Sequence, residues 1–251
     1  MRRGNPMIST LTQMIQGAKR AVFFGGAGVS TESDIPDFRS AEGLYSKLSD
    51  RYVSPEELLS RSFFISHPAE FYKFYKEQLL APNARPNRAH YALARMERDG
   101  KLAAVITQNI DGLHQEAGSG TVYEVHGSTR RNYCMKCREE YGLDFVLEAP
   151  GPVPLCEKCG GIVRPDVTLY EEALPEAALA LSARAVQEAD LFIVGGTSLV
   201  VYPAAGLLEY YSGENLVIIN REPTPYDGRA SLIFRDSIGE VLEGAWPEKA
   251  R

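Results

Sequence analysis

Long apolar runs are missing from this chain of 251 residues. Its most hydrophobic stretches, such as Ala21–Val22–Phe23–Phe24 and Leu191–Phe192–Ile193–Val194, are a handful of residues long, far short of the roughly 20 needed to cross a bilayer. No apolar core follows the charged start Met1–Arg2–Arg3, so no export signal is predicted and a soluble, cytoplasmic protein is expected. Basic excess is lacking too. The 27 Lys and Arg face 33 Asp and Glu, a net charge of −6, and no global positive field would hold a nucleic-acid backbone. There are no internal repeats and no low-complexity tract, and 44% hydrophobic with 24% charged residues is ordinary globular composition. Cysteine is scarce, with four residues, none outside two pairs.

Those four carry information through their spacing. Cys134-x2-Cys137 and Cys156-x2-Cys159 are separated by 18 residues, the pattern of a four-thiolate zinc site. Each Cys-x2-Cys turn aims two sulfurs at one point, and Gly160–Gly161 supplies the freedom a tight knuckle needs. Two disulfides or free thiols are the competing readings, and the absence of an export signal weighs against the first. Four thiolates leave no open position for substrate, so the metal is expected to be structural.

What is present elsewhere is an alternation of short apolar runs and amphipathic stretches. A helix is predicted from about Pro6 to Ala18, with Ile8, Leu11 and Ile15 on one face. Buried strands are predicted at Ala21–Phe24, Ala103–Ile106, Val122–Val125, Leu191–Val194, Leu216–Ile219 and Leu232–Phe234. Between them Asn87 caps a helix closed by Gly100, and another runs from near Pro175 to Ala189. This rhythm predicts an α/β fold, a parallel sheet with helices on both faces. Residues 35–85 and 130–166 break the rhythm and are read as two insertions forming a smaller domain beside the sheet.

Polar residues gather where the strands end. Gly26–Ala27–Gly28–Val29–Ser30–Thr31 follows the first strand, and a helix starting there would offer free N–H groups to a phosphate. Thr31 replaces the third glycine of a dehydrogenase fingerprint, and no acidic residue closes a second strand about 20 residues on. Thr107–Gln108–Asn109–Ile110–Asp111–Gly112, Val125–His126–Gly127–Ser128, Gly195–Gly196–Thr197–Ser198 and Asn220 follow other strands. Five strand ends thus present small or polar groups to one crevice, the edge where open α/β sheets bind ligands.

These segments, together with Ile35–Pro36–Asp37–Phe38–Arg39 and the two cysteine pairs, resemble the sirtuins, NAD-dependent protein deacylases, over about Met7 to Val241. The resemblance implies a Rossmann-like domain of residues 1–34, 86–129 and 167–251. It implies a small domain of 35–85 and 130–166 that carries one structural zinc, and a cleft for NAD and an acylated lysine between the two.

Residue roles follow from the same resemblance. His126 is expected to be the general base that takes a proton from a ribose hydroxyl, with Asn109 beside it, once nicotinamide has left; free lysine and O-acyl-ADP-ribose result. Ile110 and Asp111 match the pocket for the nicotinamide amide, and Gln108 and Asn109 match ribose-side positions. Gly26, Ala27, Gly28 and Thr31 match the phosphate turn; Phe38 and Arg39 match the loop covering the cofactor. Gly196, Thr197 and Ser198 match the adenosine side, Asn220 the adenine ribose, and Ser237 and Ile238 the tail against adenine. His67, His90 and His114 are read as structural.

Val167, Thr168, Tyr170 and Glu171 occupy the place of the segment that pairs with substrate peptide through its backbone. Here Glu171 stands where the family has a glycine, which removes loop freedom and adds charge. Sirtuins that remove acidic acyl groups carry a Tyr followed three residues later by an Arg; here Tyr72 is followed by Tyr75, so acetyl or longer uncharged chains are expected over succinyl. The partners implied are acyl-lysine proteins or peptides, with no membrane and no direct nucleic-acid contact. The rival readings are an NAD-dependent protein ADP-ribosyltransferase, an NAD-binding sensor without turnover, and a zinc module that binds nucleic acid through Arg130, Arg131, Lys136 and Arg138.

Overall fold

Two sheets organise the chain in the computed structural model, which describes residues 5–37 and 54–248. The larger has six parallel strands: β1 (Ala21–Gly25), β2 (Leu102–Thr107), β3 (Val122–Glu124), β7 (Leu191–Gly195), β8 (Leu216–Ile219) and β9 (Leu232–Phe234), in the order β3-β2-β1-β7-β8-β9. Its central strands are buried along their whole length because both faces are covered.

The two-residue period of a strand sorts those side chains into separate cores. Phe23, Val105, Ile193 and Val217 pack with Leu11 and Ile15 of helix Pro6–Gly17, Leu93 and Met96 of helix Arg88–Arg98, and Val241 and Leu242 of helix Ile238–Ala245. Phe24, Ile106, Phe192, Val194 and Ile218 pack on the other face with Val186 of helix Glu176–Gln187 and with Leu207 and Leu208 of a 3-10 segment. The helices start where local chemistry directs. The Asn5 carboxamide accepts from the Met7 N–H at 3.0 Å with Pro6 in the first turn, and Asn87 accepts from Ala89 N–H at 2.9 Å.

The smaller sheet was not legible beforehand. Antiparallel strands β4 (Gly127–Cys134), β5 (Glu140–Gly142) and β6 (Val163–Val167) lie in the order β5-β4-β6. β4 carries Thr, two Arg and Asn, without apolar alternation, and β6 contains Pro165, tolerated because β6 is an edge. The β4–β6 register shifts between Ser128 and Asn132, an irregularity in that ladder.

Helices Pro55–Leu58, Arg61–Ser66 and Pro68–Phe74 and a π turn at Tyr75–Leu79 supply a third core, in which Phe64, Phe71, Tyr72, Phe74 and Tyr75 meet Val146 and Leu169. One expectation is corrected here. No α-helix begins at the glycine turn after β1; two 3-10 turns, Ala27–Val29 and Thr31–Ser33, follow instead. The N–H groups of Gly28, Val29 and Ser30 are taken up by the carbonyls of Gly196, Gly26 and Ala27, so the turn has no long helix dipole behind it.

Candidate active site

The carboxyl ends of β1, β2, β7 and β8 lie side by side along one edge of the sheet, where Gly25 pairs with Thr107 and Gly195, and Gly195 with Ile219. Close approach is built in. Gly28 N–H donates to the Gly196 carbonyl at 2.9 Å, and a Cβ on Gly28 would lie 2.8 Å from the Gly196 Cα. Gly196 itself has φ of 60°, and a Cβ there would meet the Val29 nitrogen at 2.5 Å. Only glycine at both positions lets the β1 and β7 turns touch backbone to backbone.

A chain of polar side chains crosses this floor. Asn109, buried, donates from Nδ2 to Ser30 Oγ at 3.0 Å, and Ser30 donates to Asp111 Oδ2 at 2.7 Å. The other Asp111 oxygen accepts from Leu113 N–H at 2.9 Å, so this carboxylate also ties down the start of the helical turn Leu113–Glu116. Gln108 Nε2 donates to Thr197 Oγ1 at 3.0 Å, joining β2 to β7, and Thr31 Oγ1 donates to the Gly28 carbonyl at 3.0 Å. Ser30 joins this network without a role assigned from the sequence; a small hydroxyl after a glycine turn gives little signal by itself.

His126 lies between β3 and β4. Its Nδ1 is 3.0 Å from the Gln108 carbonyl, and a carbonyl only accepts, so Nδ1 carries the proton and Nε2 holds the lone pair. Burial lowers its pKa below the usual histidine value, while the Gln108 hydrogen bond opposes that shift. The imidazole is therefore a neutral proton acceptor at neutral pH. The next residue is fixed by sterics: Gly127 has φ of 77°, and a Cβ there would lie 2.0 Å from the Asp166 carbonyl oxygen.

β4 then grips the loop after β2. Thr129 donates to the Ile110 carbonyl from its N–H and its hydroxyl, both at 2.9 Å, and Arg130 Nε donates to the Asp111 carbonyl at 3.1 Å. Arg130 also pairs with Glu116, and Arg131 with Glu124 and Asp166, while the Arg138 guanidinium lies 3.9 Å from the Tyr133 ring centre. Three of the four cations invoked for a nucleic-acid patch thus have partners within the protein.

Thr168 N–H donates to the His126 carbonyl at 2.9 Å, and Val167 pairs with Gly127, so the segment expected to meet peptide is tied to the base itself. Tyr170 N–H donates to the Leu59 carbonyl and its carbonyl accepts from Arg61 N–H, both at 3.0 Å. Buried Arg164 holds the segment from beneath: it donates to both Glu172 oxygens and to the Val167 carbonyl. Glu171 adopts φ of 76°, a left-handed conformation that costs a non-glycine residue about 1–2 kcal/mol. Its carboxylate accepts from Ser62 N–H at 2.9 Å and Ser62 Oγ at 2.8 Å. Hydrogen bonds to a charged group, at about 1.5–3 kcal/mol each before solvent exposure reduces them, are of the size needed to offset it.

Past the end of β8, Asn220 N–H donates to the Phe234 carbonyl, and its side chain donates to the Glu222 carbonyl at 2.8 Å. Ser198 follows Thr197 and is half-buried. Ser237 donates to Glu32, whose carboxylate also accepts from Gly239 N–H and Arg88. Burial tends to raise the Glu32 pKa, but these donors hold it below the usual carboxylate range. Ile238 is a core residue, and a Cβ on Gly195 would collide with its Cδ1. Phe38 and Arg39 lie outside the described residues.

The cysteines converge. All four sulfurs lie within 4.8 Å of one another, with Cys134–Cys159 and Cys137–Cys156 at 3.5 Å, and none is disulfide-bonded. Sulfurs arranged tetrahedrally about 2.3 Å from a zinc ion would be about 3.8 Å apart, so the cluster fits the metal. Cys156 N–H donates to the Gly161 carbonyl at 2.7 Å, and Gly160 has φ of 68°, the tight knuckle expected of the glycine pair.

A parallel sheet with polar strand ends, a neutral buried imidazole and a four-cysteine cluster that could hold a metal ion define the class: an α/β protein with its polar groups gathered at one sheet edge. The family model described as Sir2 family matches residues 26–203. The "NAD-dependent protein deacetylase" of Clostridium acetobutylicum is 53% identical over 236 residues, covering 94% of this chain and 96% of that protein. Among solved structures, a Sir2 protein bound to an acetylated peptide is 38% identical with a TM-score of 0.84, covering 94% of this chain and 95% of that one. A Sir2 complex with a p53 peptide and NAD+ is 40% identical with a TM-score of 0.83 and the same coverage. The chain belongs to the Sir2 family.

Proposed function

We propose that the protein is an NAD-dependent protein lysine deacetylase that releases nicotinamide and O-acyl-ADP-ribose, with acyl-lysine proteins of the cytoplasm as its partners. The observation that carries this reading is His126, whose Nδ1–H is fixed on the Gln108 carbonyl so that Nε2 accepts a proton, with Asn109, Ser30 and Asp111 linked on the floor beside it. The relatives named for deacetylation and the peptide-bound neighbours support it. No helix among the described residues is long and apolar enough to cross a membrane.

Bound NAD supplies the electrophilic ribose carbon and the ribose hydroxyls. The chain's own residues orient it and move the proton. Gly26, Ala27, Gly28 and Thr31 would hold the phosphates; Gly196, Thr197 and Ser198 would hold the adenosine, Asn220 its ribose, and Ser237 with Ile238 the adenine. Gln108 and Asn109 would meet the nicotinamide ribose, and Ile110 with Asp111 the carboxamide. His126, with its lone pair at Nε2, would accept a proton from a ribose hydroxyl. Val167, Thr168, Tyr170 and Glu171 line the peptide through backbone groups. Zinc held by Cys134, Cys137, Cys156 and Cys159 is a structural staple. In this reading residues 1–34, 86–129 and 167–251 form the NAD-binding domain, and 35–85 with 130–166 the small one.

The test is nicotinamide release measured with NAD alone, with NAD and an acetyl-lysine peptide, and with the unacetylated peptide. Release that depends on the acetyl group supports the reading; release indifferent to it, or none, overturns it.

A further inference from the structure

Glu171 is a side-chain-bearing residue held in left-handed backbone, with φ of 76°, on the segment that leads away from His126. Such strain persists only where the surroundings over-determine it. Here they do. The Tyr170 backbone is bonded on both sides of a parallel bridge to Leu59–Arg61, and the Glu171 carboxylate closes on Ser62 through two hydrogen bonds at 2.8 and 2.9 Å. The result is a latch between two parts of the chain far apart in sequence: the aromatic helical core around Phe64 and the strand-end segment tied to the His126 carbonyl through Thr168. A glycine would satisfy the backbone and leave the latch open.

We propose that Glu171 is a positioning residue for the acyl-peptide: by gripping Ser62 it holds the Val167–Glu172 edge in one conformation before substrate arrives, so that peptide affinity depends on the latch and NAD affinity does not. This rests on the deacetylase reading. Preorganising an edge lowers the ordering cost of binding rather than adding contacts. The effect therefore belongs in KM for peptide, with turnover at saturation nearly unchanged.

The experiment measures KM for an acetyl-lysine peptide and for NAD, and kcat, in Glu171→Ala, Glu171→Gly, Ser62→Ala and the Ser62→Ala/Glu171→Ala pair. Thermal unfolding is followed alongside. Glu171→Ala keeps the strain and loses the latch; Glu171→Gly loses both and carries the test should the alanine variant fold poorly. Peptide KM should rise about 10-fold in Glu171→Ala and several-fold in Glu171→Gly, with NAD KM within about two-fold of the parent. Ser62→Ala, which leaves the peptide-facing residues untouched, should raise peptide KM about 3-fold, and the pair should be no worse than Glu171→Ala alone. An unchanged peptide KM in both Glu171 variants, an equal rise in both KM values, or additive effects in the pair would overturn the latch while wild-type turnover stands. A wild-type protein without acetyl-lysine turnover overturns the deacetylase reading instead, and the latch's role with it.

Discussion

Replacing His114 by leucine should flatten the acid side of the protein's stability curve. His114 and His90 lie beneath the Asp111 loop, almost fully buried, with ring centres 4.7 Å apart in edge-to-face contact. Among the described residues neither His114 nitrogen has a hydrogen-bond partner, and His90 Nε2 has none. Burial pushes the His90 pKa down to about 4, against the charges of Asp111 and Glu32; burial, then the His90 charge, pushes His114 well below its ordinary value. The sign follows from proton binding. The unfolded imidazole takes a proton near pH 6.5 while the folded one does not, so the stability contribution is full above 6.5 and is lost as pH falls. Between pH 7 and pH 5 the unfolded His114 passes from mostly neutral to almost wholly protonated. That stabilises the unfolded state by about 2 kcal/mol, which the leucine variant escapes. Leucine also replaces a buried ring without partners by an apolar group of similar size, so the variant should be at least as stable at pH 7. Urea unfolding of both proteins at pH 7, 6 and 5, followed by circular dichroism, measures the difference. The variant should gain about 2 kcal/mol on the parent across that range. Parallel curves would show that His114 titrates in the folded protein much as it does unfolded, and would refute the argument.

Three further outcomes are expected. His126→Ala should keep its fold and its NAD affinity within a few-fold while deacetylation falls about 100-fold or more, and its residual rate should lack the acid limb expected of the parent below the ordinary histidine pKa; near-parental turnover would remove His126 from the base role. Cys156→Ala, or a strong chelator, should release about one zinc per chain and unfold the cysteine-bearing sheet, because metal binding and folding are coupled there, as read by metal analysis and thermal unfolding. Acetyl-lysine should exceed succinyl-lysine in kcat/KM by at least about 10-fold, since burying an uncompensated carboxylate is costly: Tyr72 already donates to the Val163 carbonyl, and the Tyr75 hydroxyl, without a partner among the described residues, cannot replace a guanidinium. A succinyl value equal to the acetyl value would contradict this.

The large sheet was legible because its strands are short continuous apolar runs, each followed by small or polar residues, and Leu191–Val194 or Leu216–Ile219 can hardly be read otherwise. The cysteine spacing carried the convergence of the four sulfurs in the same way. The small sheet escaped because β4 is joined to its neighbours by cross-strand hydrogen bonds and carries no alternating apolar face. Local sequence does not show such pairings. The glycine turn invited a helix by analogy with other nucleotide folds, and the structure puts 3-10 turns there because the N–H groups are spent on Gly196, Gly26 and Ala27. Glu171 was visible as a departure in the sequence, but its partner Ser62 lies over 100 residues away, where no spacing rule reaches.

Acyl transfer from lysine to ADP-ribose by this chain is decided by following adenine-labelled NAD during turnover of an acetyl-lysine peptide. One nicotinamide should be released for each acetyl-lysine consumed, with the label recovered in O-acetyl-ADP-ribose. Label recovered on protein would contradict it in favour of ADP-ribosyl transfer, and acetate appearing while the NAD stays intact would contradict it outright.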